Sequence, residues 1–155
     1  MPLTIEHLQA GGAARMRELN ALFAEAFGDP ESYAAEPPDD GYLAHVLGQR
    51  HAIVLVALEE ATVVGGLVAY ELPKLERARS EIYLYDLAVA APHRRRGVAT
   101  RLIEHLRGLA RERGAWVVFV QADHGDGPAI ALYQKLGARE DVLHFDIAVD
   151  RLERS

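Results

Sequence analysis

Leu87-Ala88-Val89-Ala90-Ala91-Pro92-His93-Arg94-Arg95-Arg96-Gly97-Val98-Ala99-Thr100 is the stretch from which the fold can be read. An apolar strand runs into a turn carrying three arginines and a glycine, and the turn opens a helix. The helix shows itself by Val98, Leu102, Ile103, Leu106, Leu109 and Ala110, which form one apolar stripe, with Gly114 placed to cap its end. Unpaired backbone N–H groups at a helix start, together with the positive end of its dipole, bind anionic oxygens. Gly97 lets a phosphate approach the main chain, Ala99 keeps that approach clear, and the flanking arginines add attraction and hydrogen bonds. A diphosphate ligand accounts for these features together; the competing account is a solvated basic helix start.

Working outward, Glu81–Val89 reads as a strong strand closed by Pro92. Ala52–Leu58 and Thr62–Tyr70 are apolar runs joined by Glu59-Glu60-Ala61, the tight connection of an antiparallel hairpin. Leu3–Leu8 reads as a short strand. Met16, Leu19, Leu22, Phe23, Ala26 and Phe27 give Ala13–Phe27 a helical spacing, ended by Gly28-Asp29-Pro30. Asp29–Asp40 carries five acids, three prolines and no basic residue, a long loop or a broken helix pair before a short helix at Tyr42–Leu47. Downstream, Trp116–Val120 is an apolar strand of the kind buried in a sheet interior. Gly125-Asp126-Gly127-Pro128 starts a helix that Gly137 ends, and Val142–Val149 alternates as a closing strand would. The order predicts an α/β protein of α+β mixed type: one domain over 1–155, a mixed sheet covered by helices on both faces.

Composition narrows the chemistry. The chain has 155 residues, half of them hydrophobic and 26% charged, an ordinary globular balance. It has no cysteine, which removes disulfides, thiolate metal sites and a cysteine nucleophile. Its three serines (Ser32, Ser80, Ser155) lie outside any G-x-S-x-G setting. The net charge of −6 hides a division: His93–Arg113 holds seven arginines against Glu104 and Glu112, a local +5, so the remainder carries −11. Arg107, Arg111 and Arg113 lie too far along the helix to reach a ligand at its start and read as solvated. The acidic remainder and the lack of interleaved aromatics argue against an RNA-binding module. No apolar run is long enough to cross a membrane and no secretory leader is visible, so a cytoplasmic protein is expected. His124 and His144 have no further ligand at a convincing spacing, and no metal is expected.

The chain resembles the GNAT superfamily of acetyl-CoA-dependent N-acetyltransferases. Their acyl-donor loop has the form Arg/Gln-x-x-Gly-x-Gly/Ala, and Arg94-Arg95-Arg96-Gly97-Val98-Ala99 fits it. The resemblance implies that this loop and Thr100 hold the coenzyme A diphosphate, and that Leu87-Ala88-Val89 pairs with the pantetheine arm. Asp126–Gly137 looks like the superfamily's C-terminal helix, whose tyrosine, here Tyr133, points at the coenzyme A sulfur. Asp126 stands where the superfamily often has a cofactor-contacting asparagine. A phenol near the departing thiolate can donate a proton as the thioester breaks, although a helical tyrosine is more often a core aromatic.

An aspartate inside an otherwise apolar strand is costly unless it is paired, hydrogen-bonded or facing a ligand. Asp86 precedes Leu87-Ala88-Val89, so the resemblance puts its carboxylate near the acetyl group, where it would orient the acceptor amine and accept its proton. The other reading of Asp86 is a buried partner for an arginine. Glu81 and Tyr83 are further acceptor-side candidates.

Several strings outside the superfamily signature, among them Phe27-Gly28-Asp29, Ala78–Val89, Val120–Asp126 and His144-Phe145-Asp146, look like the gentamicin-type aminoglycoside 3-N-acetyltransferases. That resemblance implies acetyl transfer to the 3-amino group of the deoxystreptamine ring. It also suggests a homodimer. An aminoglycoside is a small polycation, and the candidate carboxylates to attract it are Asp29 and the acidic loop after it, Asp123, Asp126, Glu140, Asp141 and Asp146, with Asp123 and Asp146 ranking highest. Two other acceptors, a polyamine or a protein N-terminus, fit the same chemistry, and a non-catalytic acyl-CoA sensor is the alternative of a different class.

Overall fold

The computed structural model describes residues 2–150, which fall into two compact units, Met1–Gln121 and Ala122–Ser155. The first unit is a five-stranded sheet with helices. Its strands are β1 (Leu3–His7), β2 (Ala52–Glu59), β3 (Thr62–Pro73), β4 (Ser80–Val89) and β5 (Ala115–Val120), in that spatial order. The pairings β1–β2, β2–β3 and β3–β4 are antiparallel, and β4–β5 is parallel. A parallel pair needs a crossover, supplied here by α4 (Val98–Glu112). The sheet is therefore mixed, as the order of sequence elements predicts.

Two helical layers cover it. On one face α1 (Ala13–Phe27) buries Met16, Leu19 and Phe23 against Val54, Val56, Leu58, Val63 and Ala88, with α3 (Asp40–Leu47) adding Leu43 and Leu47. Each such aliphatic or aromatic side chain contributes about 1.5–3 kcal/mol when fully buried. Gly66 sets the approach of α1, because a methyl group there would stand 2.5 Å from Leu19 Cδ1 and 2.9 Å from the Leu55 carbonyl. On the other face α4 buries Leu102, Ile103, Leu106 and Ala110, the apolar stripe read from the sequence. Its C-terminal Arg113 is tied down: Nη1 donates to the Arg50 carbonyl at 2.6 Å and to Glu71 Oε1 at 3.0 Å, with both side chains almost buried. The expectation that Arg113 is solvated fails, because the helix runs its last turn onto the end of β3.

The acidic segment resolves as a broken helix pair. Gly28 ends α1 in the left-handed conformation, and α2 (Pro30–Tyr33) follows at once, with Asp29 Oδ1 accepting from Ser32 N at 3.1 Å. Asp39 caps α3 in the same way through Tyr42 N at 2.8 Å. These two acids are thus engaged in holding local structure.

In the second unit, α5 (Gly127–Leu136) starts where expected, with Pro128 in its first turn and Asp126 Oδ1 accepting from Ala129 N at 3.2 Å. The closing strand expected at Val142–Val149 is not formed: the described residues after Gly137 make no strand. Leu143, Phe145, Ile147 and Val149 are exposed. Alternation states which side chains would share a face, but a strand also needs a partner for its backbone groups, and none is paired there.

Candidate functional site

Both chemical features of the first unit grow from the C-terminal half of β4. Along β3, Ala69 pairs with Leu84 but Val68 pairs with Asp86, so Tyr85 is an extra, unpaired residue. This bulge changes which face Asp86 occupies. Strict alternation would put it with Ile82 and Leu84, both buried and neither part of the cluster under α1. Instead, cross-strand pairing aligns Asp86 with Val68 and Val54, and Tyr83 with Tyr70 and Ala52, all on the α1 face. On its other side β4 pairs with β5 only as far as Leu84↔Val120. Among the described residues, Tyr85 to Val89 therefore has a strand partner only in β3, where Leu87, Ala88 and Val89 face Leu67, Gly66 and Gly65.

Asp86 is half-buried, and its Oδ1 accepts a hydrogen bond from the Tyr33 hydroxyl at 2.9 Å. No cation pairs with it among the described residues, so the arginine-partner reading does not hold. Burial pushes its carboxyl above the ordinary value, while the Tyr33 hydroxyl, which favours the carboxylate, pulls the other way. Around it lies a strip of rings. Tyr83 stacks on Phe119 (centroids 4.7 Å apart), meets Tyr85 edge-on at 5.4 Å, and Tyr85 meets Tyr70 at 6.0 Å. The Tyr83 hydroxyl donates to Gln121 Oε1 at 2.8 Å. Burial raises the phenols of Tyr70 and Tyr83, and the Asp86 carboxylate adds to both shifts.

The basic loop is a second, locally determined element. After a 3-10 turn at Ala91–His93, Arg95 (φ 63°) and Gly97 (φ 79°) both adopt left-handed backbone around Arg96. Gly97 is the N-cap of α4, and no side chain caps that helix. The N–H groups of Val98, Ala99 and Thr100 have no acceptor within the helix, while Arg101 N finds Gly97 O at 3.0 Å. A Cβ on Gly97 would meet nothing within 4 Å, so glycine is needed here for its backbone conformation. Arg94, Arg95 and Arg96 are all exposed, and Arg94 is anchored by its Nε, which donates to the Val89 carbonyl at 3.1 Å. Free helix N–H groups, a curled backbone and three exposed arginines fit the diphosphate of acetyl-CoA.

The remaining predicted residues are distributed. Glu81 is turned to Trp116, whose Nε1 donates to Oε2 at 3.0 Å, and to Lys74 at 3.9 Å. It lies five residues, about 16 Å of strand, from Asp86. Asp29 is occupied in capping α2. In the second unit, Tyr133 lies on α5 and its phenol is pushed up to about 12, chiefly by burial and then by Asp126. Asp146 Oδ1 sits 2.8 Å from His144 Nε2, and the Asp123 carbonyl accepts from Asp126 N at 3.0 Å. Tyr33, Tyr70, Tyr85, Phe119 and Gln121 were not foreseen. A tyrosine six residues after Phe27, alone in an acidic, proline-rich segment, was the one available signal for Tyr33.

The pattern described as the Acetyltransferase (GNAT) family matches residues 15–138. The chain belongs to that family. The α4 start and the free edge of β4 suit the acetyl-CoA that acetyltransferases of this family use. Among solved structures, an aminoglycoside acetyltransferase from an uncultured soil metagenomic sample is 55% identical, with a TM-score of 0.94, covering 97% of this chain and 100% of that one. A second aminoglycoside acetyltransferase from such a sample, solved in complex with sisomicin, is 33% identical with a TM-score of 0.89, covering 96% and 97%. The streptothricin acetyltransferase of Streptomyces lavendulae is 29% identical over 47% of this chain and 39% of its own length. The chain spans about half the length, or less, of the curated relatives it matches. No helix among the described residues of this acetyltransferase is long and apolar enough to cross a membrane.

Proposed function

We propose that this chain, acting as one acetyltransferase domain over 1–155, acetylates an aminoglycoside at the 3-amino group of its deoxystreptamine ring. The observation that carries the reading is Asp86: a half-buried carboxylate with no cationic partner among the described residues, beside the half of β4 that β5 leaves free. A carboxylate in that position is suited to an ammonium-bearing acceptor, which it holds and from which it takes a proton. The likeness to two aminoglycoside acetyltransferases, one of them solved with sisomicin, supports this class of acceptor. The 3-amino position rests on the subfamily-like strings.

The absence of cysteine favours direct transfer. Asp86 accepts a proton as the acceptor nitrogen bonds to the acetyl carbon, and backbone N–H near Leu87 or Ala88 polarises the carbonyl oxygen. The carbon–sulfur bond breaks, and Tyr133 gives its phenolic proton to the departing thiolate. With its phenol raised to about 12, Tyr133 is protonated throughout the neutral range and is available as a donor. Leu87, Ala88, Val89 and Arg94 to Thr100 hold the donor, with Asp126 fixing the start of α5. The faces of Tyr83, Tyr85 and Tyr70 attract ammonium groups, and Asp29, Glu81, Asp123 and Asp146 add a negative field. A cytoplasmic location and a homodimer belong to the same reading.

The test is thiol release from acetyl-CoA with gentamicin, a polyamine and a peptide as acceptors, followed by NMR assignment of the acetylated nitrogen. The reading requires turnover with gentamicin and a 3-N product. Turnover with the polyamine or peptide alone would reassign the acceptor, and acetyl-CoA binding without thiol release would make the chain a sensor.

A further inference from the structure

The contact between Tyr33 and Asp86 spans 53 residues and joins two elements that no motif links. We propose that Tyr33 is a positioning residue for acetyl transfer: its hydroxyl fixes one carboxylate oxygen of Asp86 and leaves the other to take the acceptor's proton. The proposal rests on the reading of Asp86 as the base.

Tyr33 is held in place for this. It ends a helix of four residues, too short to persist alone. Three devices fix it: the left-handed Gly28 that turns the chain out of α1, the Asp29 cap, and an aromatic trio. In the trio Phe23 and Phe27 stack at 5.3 Å, and the Tyr33 ring meets them at 5.7 Å and 5.4 Å. Phe23 is fully buried, so the ring rests on the core of the first unit.

The direction of the hydrogen bond is set by chemistry. Burial and the neighbouring Asp86 carboxylate push the Tyr33 phenol far above its ordinary value, so it remains a donor wherever the enzyme works. The titratable groups facing Asp86 are Tyr33, with Asp29 behind it, from the α2 side, Tyr70 from β3, and Tyr83 and Tyr85 from its own strand. None is cationic. Of these, Tyr33 is the group that lowers the Asp86 pKa, against burial that raises it. Without the hydroxyl, burial acts unopposed and the carboxylate is free to rotate.

Tyr33→Phe keeps the ring trio and removes only the hydroxyl. Two measurements apply: the pH profile of kcat/KM with gentamicin, and a 13C NMR titration of the Asp86 carboxyl in the full chain without substrates. The expected result is a rise of about one pH unit in both the NMR midpoint and the acid limb. Plateau kcat should fall about tenfold, with KM for acetyl-CoA unchanged. An NMR midpoint that does not move overturns the role of Tyr33. A midpoint that rises while the acid limb stays, together with an active Asp86→Asn, overturns the base reading and the positioning role with it.

Discussion

The surroundings of Asp86 and the loop from Arg94 to Thr100 begin within eight residues of each other but are built on opposite principles. The loop is local: its shape comes from two left-handed residues and a helix start, all within one short stretch of chain. The Asp86 surroundings are assembled from α2, β3, β4 and β5, and depend on a bulge and on the packing of an aromatic trio. Local chemistry of the first kind holds a ligand by main-chain groups that tolerate side-chain change. The second kind places one carboxylate in a half-buried setting where each neighbour alters its behaviour.

The largest effect that tests this contrast is Asp86→Asn. Loss of a general base costs about 100- to 10,000-fold, so kcat/KM for gentamicin should fall by that order while acetyl-CoA binding, measured by calorimetry, is retained. The same variant carries a stability signature. A carboxyl raised by burial contributes stability that is present below its ordinary pKa and lost as pH rises through the raised value. Asparagine removes that loss, so the variant's Tm relative to wild type should be more favourable at pH 8 than at pH 4. A Tm difference that is flat with pH would mean that burial does not control this carboxyl.

Gly97→Ala addresses the loop and should be the next largest. The added methyl meets no neighbour, so its effect comes from forcing a left-handed backbone on a residue with a Cβ, roughly 1–2 kcal/mol. That corresponds to about a 5- to 30-fold rise in KM for acetyl-CoA, with little change in the pH profile. Combined with Asp86→Asn, the two losses should multiply if the loop and the carboxylate act on separate substrates. A strong departure from multiplication would show that they are coupled and would break the contrast.

The difference between the two regions also explains what the sequence made legible. The shape of Arg94–Ala99 could be read because it is written in neighbouring residues: strand, glycine, helix start. The sheet and α4 were legible for a similar reason, since period and length identify elements such as Val98–Glu112. The face of Asp86 was not legible. Alternation along Glu81–Val89 puts Asp86 with Leu84, and only the pairing with β3 shows that Tyr85 is extra. Tyr33 was invisible because its partner lies in another element. Val142–Val149 failed for the complementary reason: its alternation was read correctly, but a strand is a relation between two segments. Arg113 likewise looked solvated because Glu71 and Arg50 are distant in sequence.

Tyr133→Phe is the third test, and it asks whether the raised phenol donates a proton. Turnover should fall by about tenfold with both KM values nearly unchanged. Because the phenol titrates near 12, its loss should leave the profile below pH 9 with the same shape at lower amplitude. Full activity in the variant would remove the donor role and leave the thiolate to depart without assistance.

The smallest expected effect concerns the charge division that separates the two regions most plainly. In the proposed reading, the exposed Arg95 and Arg96 serve an anionic donor, while the carboxylates of the acidic remainder serve a cationic acceptor. Both attractions act partly through solvent, where raising ionic strength from 0.01 M to 0.15 M shortens the screening length from about 30 Å to about 8 Å. KM for gentamicin should therefore rise a few-fold over that range, and KM for acetyl-CoA should rise as well. The Arg95→Ala, Arg96→Ala double variant should flatten the acetyl-CoA response while leaving the gentamicin response in place. If both responses flatten together, the arginines set the field for the whole molecule and the donor and acceptor regions are not electrostatically separate. If neither KM responds to salt in the parent enzyme, capture is governed by the short-range contacts at Asp86 and the α4 N-terminus alone.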